Sequence, residues 1–353
     1  MAESHRPRSL TRRRLILGSS AVLAVGPAFA QSVAAVAAYQ GPDRMDKLVA
    51  AAKREGGLTL YTATPVDDVN QVIAAFTEKY GIRVTLWRGS SEDVLRRAVT
   101  EIKAGRHDVD VVETNGPELE ALHREKILQA INSPVAAEIF PPAVPDHKEW
   151  VGSRLNIITA AYNTDLVAEK DVPKSWNDLL DPKWNGKIGI ESEAYDWLAT
   201  VVESFPSRDE GLAFFRKLAA TNRPSLHKGH PQLANMTASG ELPITLQVYL
   251  YRVHQMEKEG APIKALSIGP SIARINGLSV ARTTAHPNAA ILYQQFTLTD
   301  AQKILASRHF TPTNTRRVPF PASMEVKVIS PNGMLDELTA WRETFEKTFR
   351  QKT

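Results

Sequence analysis

The feature that most constrains the fold is a regular alternation of strand-like and helix-like segments between residues 58 and 126. Between the strand-like segments, apolar residues recur at helical spacing, as Val69, Val72 and Phe76 do, and Gly81 is placed to end that helix. The β-α-β-α-β-α order predicts an α/β fold with an open, mostly parallel sheet flanked by helices. The three predicted strands are LTLYTA (58–63), IRVTLWR (82–88) and DVDVVE (108–113).

Polar residues follow each of these strands, at the edge where open α/β sheets bind their ligands. Ser90 and Ser91 also begin a helix, and the free backbone N–H groups at a helix start favour an anion. Ser and Thr are equally the residues that cap helices without binding anything, so both interpretations stay open. The candidate ligand-binding residues at this edge are Thr62, Thr64, Arg88, Ser90, Ser91, Glu113 and Thr114.

The rest of the chain continues as mixed α/β structure. The segment LPITLQVYLYR (242–252) predicts a strand in which Gln247, Tyr249 and Tyr251 share one face. The C-terminal apolar stripe, from Leu335 to Phe349, predicts an amphipathic helix. Further predicted strands are 154–167, 187–190 and 266–281 with a turn, and further predicted helices are 209–220 and 231–239.

Residues 1–30 have the layout of a secretory signal. Three arginines, 12–14, precede a 16-residue apolar stretch that ends in AFA before Gln31, and the Thr-Arg-Arg-Arg order resembles a twin-arginine signal. The stretch is shorter than the roughly 20 residues that span a bilayer, although an uncleaved anchor is the alternative. We expect cleavage after Ala30 and a soluble protein in the periplasm.

Removing this segment changes the charge. The whole chain has 43 Lys+Arg and 39 Asp+Glu residues, of which the segment holds five arginines and one glutamate, so 38 of each remain. A formally neutral mature chain gives no electrostatic support to a nucleic-acid or anionic-membrane partner.

The sequence contains no motif that specifically indicates an enzyme. There is no cysteine, which excludes disulfides, thiolate metal sites and a cysteine nucleophile. The dinucleotide-binding, phosphate-loop and nucleophile-elbow motifs are also absent. His227 and His230 are separated by Gly229, which breaks a helical metal-binding face between them. We therefore expect no catalytic residues and no cofactor.

The segment SWNDLLDPKWNGKIGI (175–190) closely resembles the S-W-x-D-L-L-D-P-K-W-x-G-K-I segment of bacterial extracellular solute-binding proteins. These are the periplasmic receptors of ABC importers, and the likeness is to the branch that binds ferric and small organic ions. It extends from about Leu58 to Thr313 and includes GELPITLQVY, AHPNAAILYQQF and TDAQKIL.

The resemblance implies a type II periplasmic-binding-protein fold. Two lobes, each a mostly parallel sheet flanked by helices, are joined by crossing hinge strands and close around the ligand. On this chain, lobe one would comprise 41–154 plus 272–310, and lobe two 155–271 plus 311–353. The implied partners are a small ligand, an inner-membrane permease and its ATPase, with the receptor itself a monomer.

The resemblance also suggests ligand-binding residues in lobe two: Asp196, Trp197, Gln247, Tyr249 and Tyr251. Ferric binders of this family carry two adjacent tyrosines, whereas this chain has Tyr-Leu-Tyr. Ferric iron is slightly favoured on family grounds, with Tyr249, Tyr251 and Glu113 as its ligands. The alternative ligand is a small organic anion such as a phosphonate, sugar phosphate or carboxylate. A less favoured alternative function is an exported enzyme with a similar two-lobe fold.

Overall fold

The structure, a computed structural model, describes Met1 and residues 32–320 and 326–350. Apart from Met1, the predicted export signal lies outside the described residues. The strands are β1 (Gly57–Thr62), β2 (Arg83–Arg88), β3 (Val111–Asn115), β4 (Trp150–Asn163), β5 (Ile188–Glu191), β6 (Ser225–His227), β7 (Ile244–Tyr249), β8 (Ile263–Leu266), β9 (Ser271–Val280), β10 (Thr311–Pro312) and β11 (Val326–Val328).

The helices are α1 (Val33–Ala38), α2 (Arg44–Glu55), α3 (Val66–Tyr80), α4 (Ser91–Lys103), α5 (Gly116–Arg124), α6 (Tyr195–Val202), α7 (Arg208–Asn222), α8 (His230–Ala238), α9 (Leu250–Lys258), α10 (Pro287–Thr297), α11 (Ala301–Ser307) and α12 (Pro331–Phe349). Short 3₁₀ turns cover Pro134–Glu138, Pro141–Ala143, Glu169–Asp171, Trp176–Leu180 and Pro182–Trp184. Within the described residues, no helix combines the length and apolarity needed to cross a membrane.

Two groups of parallel strands are joined by two long strands that run between them. The sheet order is β2-β1-β3-β9-β4-β7-β5-β6, with β1 parallel to β2 and β3, and β5 parallel to β6 and β7. Strands β4 and β9 pair antiparallel, and they also pair with β7 and β3, respectively. The chain therefore crosses from the first group to the second along β4 and returns along β9.

Helices cover both faces of the first strand group, as the alternation of apolar residues predicts. Leu60 packs in one core cluster with Val72 and Phe76 of α3, whereas its neighbour Tyr61 packs in another with Val94 of α4. Opposite orientation of successive strand residues produces this division. Gly81 ends α3 in the left-handed conformation, with φ of 71°, as the sequence predicts.

One predicted strand is shorter than expected. Strand β7 ends at Tyr249, and Leu250–Lys258 forms α9, so Tyr251 lies in the first helical turn rather than on the strand. The prediction followed the preference of aromatic residues for strands. The helix-forming residues after Arg252 and the stop at Gly260, with φ of 85°, determine the observed structure instead.

The two long strands approach each other closely at Gly277. A Cβ atom at this position would lie 2.5 Å from the carbonyl oxygen of Val151 on β4, a distance that real side chains do not tolerate. Glycine is therefore required where β9 pairs with β4. Asn276, next to Gly277, pairs with Arg154 in the same antiparallel register.

Candidate functional site

A cavity of about 460 Å³ lies between the two strand groups. Its wall includes residues from the starts of α4 and α5 on one side and from β5, α6 and α8 on the other. Helix α12 contributes Met334, Leu335, Leu338 and Arg342 to the same wall. The cavity has the size of a pocket for a small molecule rather than for a bare ion.

Two copies of an Arg-x-Asn pattern form the part of the wall that β4 and β9 supply. Arg154 and Asn156 are two residues apart on β4, and Arg274 and Asn276 are two apart on β9. In the antiparallel register, Arg154 pairs with Asn276, and Asn156 pairs with Arg274. Side chains two apart on a strand share a face, and all four line the cavity.

Arg154 is buried, and its two terminal guanidinium nitrogens bond to neighbouring side chains. Its guanidinium donates to Glu113 at 2.6 Å and to Thr64 at 2.7 Å, and it lies 4.8 Å from the ring centre of Phe310. Its Nε is buried and has no hydrogen-bond partner among the described residues. The Arg154–Glu113 pair therefore stabilises the cavity wall and leaves one N–H donor over.

Arg274 forms the densest polar cluster of the cavity. It donates to both carboxylate oxygens of Asp196, at 2.8 and 2.5 Å, in a two-pronged ion pair that links β9 to α6. A further N–H group donates to the phenol oxygen of Tyr249 at 3.1 Å and approaches Nε2 of His230 at 3.4 Å. Arg274 thus positions one residue from each of three neighbouring elements.

His230 is held as a neutral imidazole. Its Nδ1 lies 2.7 Å from the backbone carbonyl oxygen of Gln247, so Nδ1 carries the proton and donates. Burial, together with the neighbouring Arg274 cation, lowers the pKa of His230 to about 4. The unprotonated Nε2 is consequently free to accept from Arg274.

The two tyrosines that the sequence singles out both reach the cavity. Their rings are 5.7 Å apart and nearly parallel, and Tyr251 packs on Phe310 at 4.1 Å. Burial raises the pKa of Tyr249, an effect that Arg274 only partly opposes, and burial also raises the pKa of Tyr251. Both side chains are therefore neutral phenols near pH 7.

Three carboxylates face the cavity without an ion-pair partner among the described residues. Burial raises the pKa of Glu118 to about 7, and burial also raises the pKa of Glu92 and of Glu191. Glu191 accepts from the backbone N–H groups of Gly229 and Glu193. Glu118 is half-buried, and its Oε2 has no hydrogen-bond partner among the described residues.

The structure brings half of the predicted ligand-binding residues to the cavity and places the others behind its wall. Thr62 donates to Glu113, and the amide oxygen of Gln247 accepts from the backbone N–H of Glu191. Trp197 packs among Trp176 and Phe215. The residues on the cavity are Arg88, Ser90, Ser91, Asp196, Tyr249 and Tyr251, and those behind it are Thr62, Thr64, Glu113, Thr114, Trp197 and Gln247.

The positions of Glu113 and of the start of α4 affect the two expected ligands, ferric iron and an organic anion. Glu113, predicted as a ferric ligand, does not line the cavity, because its two oxygens accept from Arg154 and Thr62. At the start of α4, Ser90 and Asp93 form a capping box, and Ser91 accepts from Asn115. The capping box engages the backbone N–H groups of Ser90 and Asp93, so these two are not available to an anion.

Six residues that β4, β9 and two helices supply to the cavity were not predicted from the sequence. A signal was present, because RLN (154–156) and RIN (274–276) put two polar residues two apart inside apolar strands. That pattern marks a strand face turned towards a polar site. The residues missed are Glu118, Arg154, Asn156, His230, Arg274 and Asn276.

A separate group, Glu120, His123 and His147, lies outside the cavity. The backbone N–H of Glu149 donates to Nδ1 of His147, so the proton is on Nε2, which donates to Glu120 at 3.2 Å. Trp150 also donates to Glu120, and His123 pairs with Glu149. These groups satisfy each other, and the protonated Nε2 cannot bind a metal, so we assign none here.

A family model, bacterial extracellular solute-binding protein, matches residues 71–326. The Fe(3+)-binding periplasmic protein of Serratia marcescens is 24% identical over 54% of this chain and 56% of its own length. A periplasmic protein of Salmonella typhimurium, provisionally named for 2-aminoethylphosphonate binding, is 29% identical over 69% of this chain and 66% of its own. The chain thus matches little more than half of the first relative and about two thirds of the second.

A solved structure shows the same fold. The periplasmic binding protein AfuA of Actinobacillus pleuropneumoniae, with fructose-6-phosphate bound, aligns with a TM-score of 0.72 at 21% identity. The alignment covers 84% of this chain and 99% of that one. The two-lobe, type II periplasmic-binding-protein fold expected from the sequence is confirmed, and the chain belongs to the bacterial extracellular solute-binding proteins.

Proposed function

We propose that this chain is the periplasmic receptor of an ABC importer and captures a small organic solute in the cavity described above. The lobes would be 41–154 plus 272–310 and 155–271 plus 311–353, closing by rotation about β4 and β9. The loaded receptor, a monomer, would deliver the solute to an inner-membrane permease and its ATPase. The family match and the position of the cavity between two strand groups support this role.

The hydrogen bond from Arg274 to Tyr249 is the observation that favours an organic solute. Because the phenol oxygen accepts from Arg274, its own proton is free to donate into the cavity. A solute oxygen, such as that of a carboxylate, phosphonate or phosphate, is a suitable acceptor. The solute's anionic end would then lie close to the Arg274 guanidinium.

Ferric iron remains the second candidate, because both tyrosines line the cavity and a Serratia relative is named for it. Iron would require phenolates, whereas burial raises the pKa of Tyr249 and of Tyr251. It would also place a trivalent cation beside the Arg274 guanidinium, at a Coulombic cost that grows in a buried site. These two effects make the organic solute the better-supported ligand.

The test compares ligands on one preparation. The purified protein is titrated separately with ferric citrate and with small carboxylates, phosphonates and sugar phosphates, while its visible spectrum and melting temperature are recorded. We expect an organic compound to raise the melting temperature and ferric citrate to give no phenolate charge-transfer band. Tyr249→Phe should weaken binding of that compound about tenfold, whereas Tyr162→Phe, outside the cavity, should not change it.

An iron-dependent visible band that disappears in Tyr249→Phe would instead establish the ferric function. Conversion of the bound compound into a product would point to an exported enzyme, since a receptor releases its solute unchanged.

A further inference from the structure

The cavity holds more hydrogen-bond acceptors than its own residues satisfy. Three buried acceptor atoms on its wall have no partner among the described residues: Oε2 of Glu118, Oδ1 of Asn156 and Oδ1 of Asn276. Among the described residues that line the cavity, only one buried donor lacks a hydrogen-bond partner, and this is Nε of Arg154. Buried polar groups without partners are costly, so this imbalance points to a ligand that brings donors.

The asparagine network explains why the two amide oxygens are left over. Asn115 uses its amide oxygen to accept from Asn156 at 3.4 Å and from Asn276 at 3.2 Å, and its amide nitrogen donates to Ser91 at 2.8 Å. The amide nitrogens of Asn156 and Asn276 are thereby oriented towards Asn115. Their oxygens consequently have no hydrogen-bond partner within the described chain, and both residues line the cavity.

Glu118 is the third acceptor of this group, and unlike the two amide oxygens it is negatively charged when ionised. It lies in the first turn of α5, which packs on β9, the strand of Asn276. Arg274 is the cation that most favours the ionised form of Glu118, but Arg274 is already paired with Asp196 through two hydrogen bonds. An ionised carboxylate without an ion-pair partner would be stabilised by a cation that a ligand brings into the cavity.

From these acceptors we infer a subsite for a primary ammonium group, formed by Glu118, Asn156 and Asn276. An ammonium has three N–H donors and one positive charge, which match two neutral oxygens and one carboxylate. A sugar hydroxyl would bring one donor and a further acceptor, and a carboxylate or phosphate would bring acceptors only.

The inference rests on the proposed function and narrows its ligand class. With an oxygen-bearing end at Tyr249 and Arg274 and an ammonium at Glu118, the solute is a small zwitterion that has both groups on a short chain. The anionic end alone would account for Arg274 but would leave the three acceptors without partners.

The experiment uses matched pairs of compounds that differ in the amino group. Ethylphosphonate is compared with 2-aminoethylphosphonate, and propionate with 3-aminopropionate, by calorimetry on the dialysed full-length exported protein. We expect the amino compound of a pair to bind at least about tenfold more tightly than its amine-free partner. In Glu118→Gln this preference should fall about tenfold or more, because the variant keeps the side-chain shape and loses the charge.

Glu125→Gln provides the matched control. Glu125 follows α5 directly, is exposed and pairs with Lys103, outside the cavity, so its loss should leave the amine preference unchanged. Circular dichroism and the melting temperature of both variants check that each is folded.

The binding results can overturn the ammonium subsite without overturning the proposed receptor function. Equal binding of both members of every pair, or an amine preference that survives in Glu118→Gln, would overturn the ammonium subsite and leave the organic-solute receptor intact. Failure of every organic compound to bind, with ferric iron bound instead, would overturn both.

Discussion

Asn156 and Arg274 are cross-strand neighbours on β4 and β9, and both side chains face the same cavity. The neighbouring pair, Arg154 and Asn276, repeats the arrangement with the strands exchanged. The site is therefore built on the two strands that connect the strand groups, rather than on loops. A ligand that contacts these residues would touch the two strands about which we propose that the lobes rotate.

The Arg274–Asp196 pair should be essential for stability as well as for binding. Arg274→Met would leave the Asp196 carboxylate, which is largely buried, without the two hydrogen bonds that Arg274 donates and without a neutralising cation. We expect a loss of about 3–5 kcal/mol in the free energy of unfolding, measured by urea denaturation. The exposed pair Lys183–Asp171 is the control, and Lys183→Met should cost less than about 1 kcal/mol. Equal losses in the two variants would contradict the assignment of Arg274 as the centre of the cluster.

Glu118 should make the ligand-free protein less stable as the pH rises. Its pKa is raised from 4.5 to about 7 in the folded state, so the folded protein binds more protons than the unfolded chain between these values. The contribution of Glu118 to the free energy of unfolding should therefore decrease from pH 4.5 to 7. Glu118→Gln removes this effect and should be more stable than the wild type at pH 8 by roughly 1–3 kcal/mol.

The charged groups that act on Glu118 come from its neighbours. Arg274 on β9 favours its ionised form, whereas Asp196 on α6 and Glu92 on α4 oppose it, and Arg342 of α12 faces the same cavity. Denaturation curves of both proteins at several pH values test the prediction. If the free energy of unfolding changes with pH in the same way for the wild type and for Glu118→Gln, the pKa of Glu118 is not raised by folding.

His230 should have the opposite pH dependence. Burial lowers its pKa from 6.5 to about 4, so the unfolded chain binds more protons than the folded protein between these values. Its stabilising contribution is present above pH 6.5 and is lost as the pH falls towards 4. His230→Gln should flatten this acid limb, whereas His107→Gln, outside the cavity, should leave it unchanged. An acid limb that persists in His230→Gln would exclude a buried neutral imidazole.

Ligand affinity should also depend on pH if the ammonium subsite is correct. Only the ionised Glu118 carboxylate attracts an ammonium, so affinity for an amino compound should increase as the pH rises through about 7. Calorimetry at pH 6 and pH 8 measures the change, and Glu118→Gln should lose it. Amine-free compounds should show no comparable increase, and an increase of the same size for them would assign the effect to another group.

Local sequence patterns predicted much of the fold because helix and strand periodicity is encoded within a dozen residues. The stripe of Val69, Val72 and Phe76 and the cap at Ser90 lie where the sequence places α3 and α4. The end of β7 could not be predicted in this way, because Tyr251 suits a strand and a helix start equally well.

The candidate site was harder to predict because it depends on long-range pairing. Arg154 and Asn276 are adjacent in space but 122 positions apart in the chain, and only the antiparallel register joins them. Thr62, Glu113 and Gln247 follow or lie on the expected strands, yet the Thr62 hydroxyl, the Glu113 carboxylate and the Gln247 amide oxygen bond to neighbouring residues. Position at a strand end indicated the region, and tertiary contacts decided which side chains reach the cavity.

Native mass spectrometry of the protein purified from its own periplasm tests the central claim most directly. We predict a bound organic solute with an amino group and an acidic oxygen group, released unchanged on unfolding and absent from Arg274→Met protein that is folded. A protein that carries only iron, or a bound compound whose amount does not depend on Arg274, would contradict the account.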